Sequence, residues 1–243
     1  MPFTFAHPAI VLPFASLPKR FVSVTGLIVG SMVPDFEYFF RLRVKSDYSH
    51  SWPGIFLFDL PVGIVTCLFF QLVVKRSLVQ NLPGGIQSRL PKEIDTNWAP
   101  YFERYWPVVV LSLFVGILSH LLWDGFTHRG GFGVLAFESL SRSYKLFGHD
   151  IPGFKIAQHA SSVIGAIFIF AFISKHPKVR QACTPSIRYW QWVFLWGFLL
   201  LAGKLIFSKN ISSGNLIVAG IAALFVGLIL SPLSLRLIYN RSK

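Results

Sequence analysis

The segment Ser119 to Arg129, SHLLWDGFTHR, closes an apolar run, PVVVLSLFVGIL, that suits a lipid bilayer. On a helix, His120, Asp124 and His128 fall at i, i+4 and i+8. They project from one face and drift by only about 40° per step. Imidazole and carboxylate without thiolate make a nitrogen and oxygen donor set suited to a divalent metal, Zn²⁺ first, with Mn²⁺ or Fe²⁺ also served. Ionisable groups at membrane depth are costly to bury and mark functional sites. Residues of the same kind recur at His7, at Asp35 in SMVPDFEYFF, at His50 in YSHSWPG and at His159 in AQHASSVIG. These seven exceed what one tetrahedral ion takes, whereas two or three ions bridged by a carboxylate would use them all.

Each of these residues also has a plainer explanation. A helix end that dips into the headgroup region wets its histidines, Pro34-Asp35 is common turn chemistry, and His159 beside two serines can act as a cap. What favours a site is the placement of the elements that carry them. The chain has 243 residues, 53% of them hydrophobic and 14% charged. Soluble domains carry roughly 25% charged residues, so the composition predicts a polytopic membrane protein. Five apolar segments approach the ~20 residues that span a bilayer: Ile55 to Val74, Trp106 to Phe126, Ile156 to Ser174, Trp190 to Phe207 and Leu216 to Ile238.

The first forty residues hold two shorter apolar stretches, Pro8 to Leu17 and Phe21 to Val33, split by the charged turn Pro18-Lys19-Arg20. They predict an antiparallel helical hairpin that returns Asp35 to the level of His7. Lysine and arginine favour the side that holds the Pro18 turn, the loops from Lys75 to Tyr105 and Lys175 to Tyr189, and the C-terminus. By the positive-inside rule that side is cytoplasmic, and all seven candidate ligands fall at the external end. The expected architecture is therefore a single all-α membrane domain over residues 1–243: an N-terminal hairpin (1–40), helices that carry the metal site (55–174) and a C-terminal transmembrane hairpin (190–238).

The formal charge of +13 sits in short clusters between apolar runs, so nucleic acid is not an expected partner. The N-terminus lacks a basic region ahead of its apolar stretch and does not read as a cleaved signal peptide. Cys67 and Cys183 form neither a disulfide framework nor a metal-type pair. Among other polar residues, Glu37 suits a supporting or general-base carboxylate. Asp59, ahead of Pro61, suits either a helix cap or the orientation of a ligand histidine. Arg129 beside His128 suits a phosphate oxygen. His149 with Asp150 reads first as a loop turn, and His176 falls on the cytoplasmic side.

The stretches MPFTFAHPA, GSMVPDFEYFF, SHSWPGIFLFDLPVG and SHLLWDGFTH together resemble a family of bacterial integral membrane proteins of unknown function that begin Met-Pro-Phe-Thr-x-x-His-Pro. The resemblance runs to about Gly165. That family is similar to the LexA-induced, predicted membrane-bound metal-dependent hydrolases. More remotely, the order of His and Asp is similar to that of the zinc-dependent phospholipase C and S1/P1 nuclease group, helical enzymes with three clustered zinc ions. The resemblance implies His7, Asp35, His50, His120, Asp124, His128 and His159 as ligands, with Asp124 as the bridge, and a bacterial inner-membrane location. The soluble enzymes add an N-terminal tryptophan and a carboxylate four residues after the last histidine. Here the chain starts Met1-Pro2 and position 163 is Val163, so two ions are expected rather than three.

The sequence thus predicts a hydrolase at the external membrane surface, acting through metal-activated water on a lipid-borne phosphoester. Two other readings compete. A coordinatively closed metal or polar cluster would only lock helices together. A metal or proton transporter would need ionisable residues along a path to both faces, and the cytoplasmic halves of these helices hold few besides Lys204.

Overall fold

A computed structural model describes residues 3–90, 97–146, 148–179, 181–208 and 212–241. Among the described residues the protein is all-α apart from one short β-hairpin, and five helices are long and apolar enough to cross a membrane. The elements in order are α1 (Thr4–Ser16), a string of 3₁₀ and α turns; α2 (Val24–Gly30); α3 (Phe36–Arg41); α4 (Trp52–Asn81); and α5 (Ala99–Thr127). They are followed by β1 (Ser143–Leu146), β2 (His149–Pro152), α6 (Gly153–Lys175), α7 (Ile187–Phe207) and α8 (Ser213–Arg241). The segment between α4 and α5 contains a helical turn at Gly84–Gln87, and its residues 91–96 lie outside those described.

Prolines shape the long helices. Pro107 has no N–H to donate within α5, and one turn-half earlier Tyr105 leaves helical geometry at φ −123°, ψ 25°, so the span effectively begins there. In α4, Pro61 cannot donate to the preceding turn, and the segment Ile55–Asp59 just before it widens into a π-helical turn. His149 and Asp150, expected in a loop, lie on β2, which pairs antiparallel with β1 around Gly148 at φ +81°.

The chain folds as two compact units, one of residues 1–35, 48–64 and 105–172, the other of 36–47, 65–104 and 173–243. In the first, α2 lies against α5 with almost no space between the backbones. Ser23 caps α2 by accepting from Gly26 N–H, and its own N–H donates to Ser112 Oγ at 2.9 Å. A Cβ on Gly26 would stand 2.8 Å from Val109 O, one on Gly116 would stand 2.5 Å from Leu27 O, and one on Gly30 would collide with Leu113 O. Small residues spaced by four on both helices are what permits such a crossing in an apolar medium. Val109, Leu113 and Ile117, one side of α5, are fully buried, and Leu113 also packs on Gly63 of α4. The start of α1 is tied to α6 by Phe3 N–H donating to Ser162 Oγ, and Ala6 packs on Gly165.

In the second unit α7 and α8 form a hairpin, with Gly227 facing Val193, Ser231 Oγ donating to Tyr189 O and Trp196 Nε1 donating to Ser234 Oγ. Phe36 and Phe39 of α3 meet Phe225 of α8, both at 5.5 Å.

Gly30→Ala forces the α2–α5 crossing apart and is expected to lower stability by about 1–3 kcal/mol. Thermal unfolding of the detergent-solubilised protein checks this, with exposed Gly85→Ala as the control, since a Cβ there meets nothing within 4 Å.

Candidate metal centre

Five segments of the first unit deliver the site. His120 and Asp124 are one turn apart on α5, where the apolar side formed by Leu113 and Ile117 continues toward the helix end. Asp35 comes from the 3₁₀ turn Val33–Asp35, which stops the α2 segment at Pro34. His7 lies within α1, immediately before Pro8. His50 comes from the loop ahead of α4, whose first turn is capped by Ser51 Oγ accepting from Gly54 N–H. His128 follows α5 directly.

The carboxylate of Asp124 divides the surrounding imidazoles between its two oxygens. Oδ2 is 3.3 Å from His120 Nε2 and 3.5 Å from His50 Nε2. Asp35 Oδ1 completes that group, 3.7 Å from His120 Nε2 and 3.9 Å from His50 Nε2. One ligand atom from each of Asp35, His50, His120 and Asp124 lies within 4.8 Å of the other three. Four ligands about 2.0–2.2 Å from a tetrahedral zinc stand roughly 3.3–3.6 Å apart, so this quartet nearly outlines the polyhedron of one ion. On the other side, Oδ1 of Asp124 is 3.4 Å from His128 Nδ1 and 3.7 Å from His7 Nε2.

The outer atoms of these side chains are held so that the inner ones converge. His120 Nδ1–H donates to Ser31 O at 2.8 Å, which turns Nε2 toward the carboxylates. Thr4 Oγ1 donates to Asp35 Oδ2 at 2.5 Å, and Ser49 Oγ is 3.0 Å from His50 Nδ1. The His7 and His120 rings stack at 3.9 Å. No hydrogen bond reaches either nitrogen of His7, Asp35 Oδ1, His120 Nε2, either oxygen of Asp124 or His128 Nε2, although all are buried.

Leaving a buried polar atom unmatched costs about 1–3 kcal/mol, and more when it is charged. Burial, with His120 alongside, pushes the pKa of His7 well down and keeps it a neutral base. Burial, with the like charge of Asp124, pushes the pKa of Asp35 up. Imidazoles and carboxylates gathered in this way are the donor set a divalent cation fits.

Four other residues expected at the site stand differently. His159 is exposed on α6, while its neighbour Gln158 is buried; one residue along a helix turns the side chain by about 100° and carries it off the inner face. Glu37 is buried, with Oε1 accepting from Arg41 and from Asp47 N–H and Oε2 from Ser46 Oγ, so it braces the turn after α3. Asp59 is fully buried in the π-helical turn of α4. Arg129 is exposed just beyond His128. Of the tryptophans, Trp52 is exposed, and Trp123 sits 5.4 Å from the His7 ring and donates to Ser161 Oγ. Thr4, Ser31 and Ser49 escape a sequence reading, since hydroxyls and carbonyls carry no spacing signal.

Thr4→Val keeps the side chain's shape and removes the donor to Asp35. Loss of such a supporting partner lowers metal affinity by about 10–100-fold. Zinc competition against a chromophoric chelator reads that shift, and unchanged affinity would show that the Asp35 carboxylate needs no such anchor.

No curated protein and no solved structure matches the chain. A family profile does, across residues 1–233, well past the Gly165 limit of the motifs. The chain therefore belongs to the family described as "Domain of unknown function (DUF4184)".

Proposed function

We propose that this protein is a membrane-bound, metal-dependent hydrolase whose centre opens at the external face of a bacterial inner membrane and acts on a lipid-borne phosphoester. The observation that carries the reading is the convergence of two buried carboxylates and four histidines, with Asp124 turned to imidazoles on both sides. Two ions would fit that division, one held by Asp35, His50, His120 and Asp124 and the other by His7, His128 and Asp124. Bound divalent ions supply a nucleophilic water at neutral pH and neutralise charge that builds on a phosphoryl group.

The chain's own residues do the rest. Ser31 O and Thr4 fix the orientation of His120 and Asp35. The side chains of His7, Asp35, His120 and Asp124 are at most 8% exposed, while those of His50 and His128 are 23% and 31% exposed, so the centre has an open side between them. A purely structural ion would be closed all round. Two dications outweigh the two carboxylates, which favours an anionic substrate, and Arg129 stands at the His128 edge to hold a phosphate oxygen. A substrate in the lipid phase suits a centre assembled at the ends of apolar helices. The order of motifs that resembles the LexA-induced hydrolases and the phospholipase C group points the same way.

The test is metal content by elemental analysis of the purified protein, together with release of phosphate or phosphoalcohol from a panel of lipid phosphoesters. The wild type is expected to hold about two equivalents of zinc, manganese or iron and to turn over at least one lipid. Asp124→Ala and His120→Ala are expected to lose both metal and turnover. A folded wild type that binds no metal after reconstitution would sink this function.

A further inference from the structure

Resting on that two-ion reading, we infer that the positions are unequal: the ion held by Asp35, His50, His120 and Asp124 Oδ2 is the resident one, and the ion on the His7 and His128 side is exchangeable. The two sides differ in donor number. The first gathers four protein ligand atoms, enough to close a tetrahedral shell, within 4.8 Å of one another. The second offers three, Asp124 Oδ1 with His7 Nε2 at 3.7 Å and His128 Nδ1 at 3.4 Å from it, and an ion held there would have room for water.

They differ in rigidity as well. His120 is fully buried in the helix interior, with Nδ1 held by Ser31 O, and Asp35 is locked by Thr4. His128 stands one residue beyond the end of α5, with its side chain 31% exposed, ahead of a turn in which Gly130 adopts φ +80°. Its Nδ1 already contacts Asp124 O at 3.3 Å, an interaction a ligand role competes with. His7 anchors the second position from the inner side. It is 1% exposed, and neither ring nitrogen has a hydrogen bond. The pocket is thus built on one flank and open on the other. Loss of one supporting partner alone weakens metal binding by about 10–100-fold, so a whole missing ligand separates the positions by at least about tenfold. Occupancy of the second position then follows free metal outside the cell membrane, and the protein passes between a one-ion and a two-ion form.

The experiment loads the full-length protein in detergent with zinc alone, equilibrates it against a graded series of zinc buffers and measures zinc per chain at each step, with thermal unfolding in parallel. The wild type is expected to lose one equivalent at a free-zinc level at least about tenfold above the level at which it loses the other. His128→Ala is expected to hold one equivalent released at the wild type's tighter level, and Asp35→Asn to lose that tighter equivalent. His128 is partly exposed, so its variant is the one expected to fold normally, and the unfolding curve verifies this. Release of both equivalents together, or loss of the tight equivalent in folded His128→Ala, would overturn the inference while leaving a metal centre. Two unequal equivalents without hydrolysis of any lipid would support it and count against the hydrolase function instead. A wild type that holds no zinc would remove both.

Discussion

Two carboxylates buried at the ends of apolar helices set the terms for the first unit. Asp35 and Asp124 are 1% and 6% exposed, and Asp124 is faced by imidazoles on both of its oxygens. An isolated buried carboxylate is far less stable than a hydrated one, and histidine neighbours offset that cost only if they are protonated or share a cation with it. The surrounding chain offers Asp124 four imidazoles within 3.7 Å, in a group that could share a cation. His7, stacked on His120, is too buried to carry a proton readily. The outward-facing atoms of His120 and Asp35 are matched, and the inward-facing ones are left for something else.

That arrangement depends in turn on the α2–α5 crossing. Ser31 follows α2 directly and Gly116 precedes His120 by one turn of α5, so the contact of Gly30 and Gly116 sets the distance from Ser31 O to His120 Nδ1. Glycine is demanded here by contact between backbones and not by an unusual φ angle. A packing requirement and a chemical requirement thus meet within two helical turns, and a substitution on either helix is felt in both.

Part of this was legible in the sequence. The i, i+4 spacing of His120 and Asp124 is fixed by helix geometry alone, and the hairpin's two short arms bring His7 and Asp35 to one level. The five spans follow from length and apolarity, because no other structure satisfies the backbone in lipid. What spacing cannot supply is rotation about a helix axis that has apolar residues on every side. Phe168 and Ile164 are exposed on α6 as readily as inner positions are buried, so nothing in the pattern separates Gln158 from His159. Glu37 carries a local warning in Arg41, four residues on, which is ion-pair spacing. Gly26 and Gly30, with Ser112 and Gly116, show the small-residue spacing of a tight crossing, but the pairing of those two stretches lies in the tertiary structure.

The order in which the chain is made gives the N-terminal segment a further consequence. His7, Thr4 and Asp35 all precede α5, and Phe3 is tied to Ser162 of α6, so the first residues synthesised find their partners only when α5 and α6 have followed. Until then an aspartate and a histidine lie at the lipid boundary without their neighbours, in a hairpin too short to anchor itself across the bilayer. The N-terminal hairpin can therefore close over the end of α5 only after the long helices are in place. The whole donor set, His7 to His128, is thus synthesised before α6, while the tie that fixes the first residues waits for Ser162.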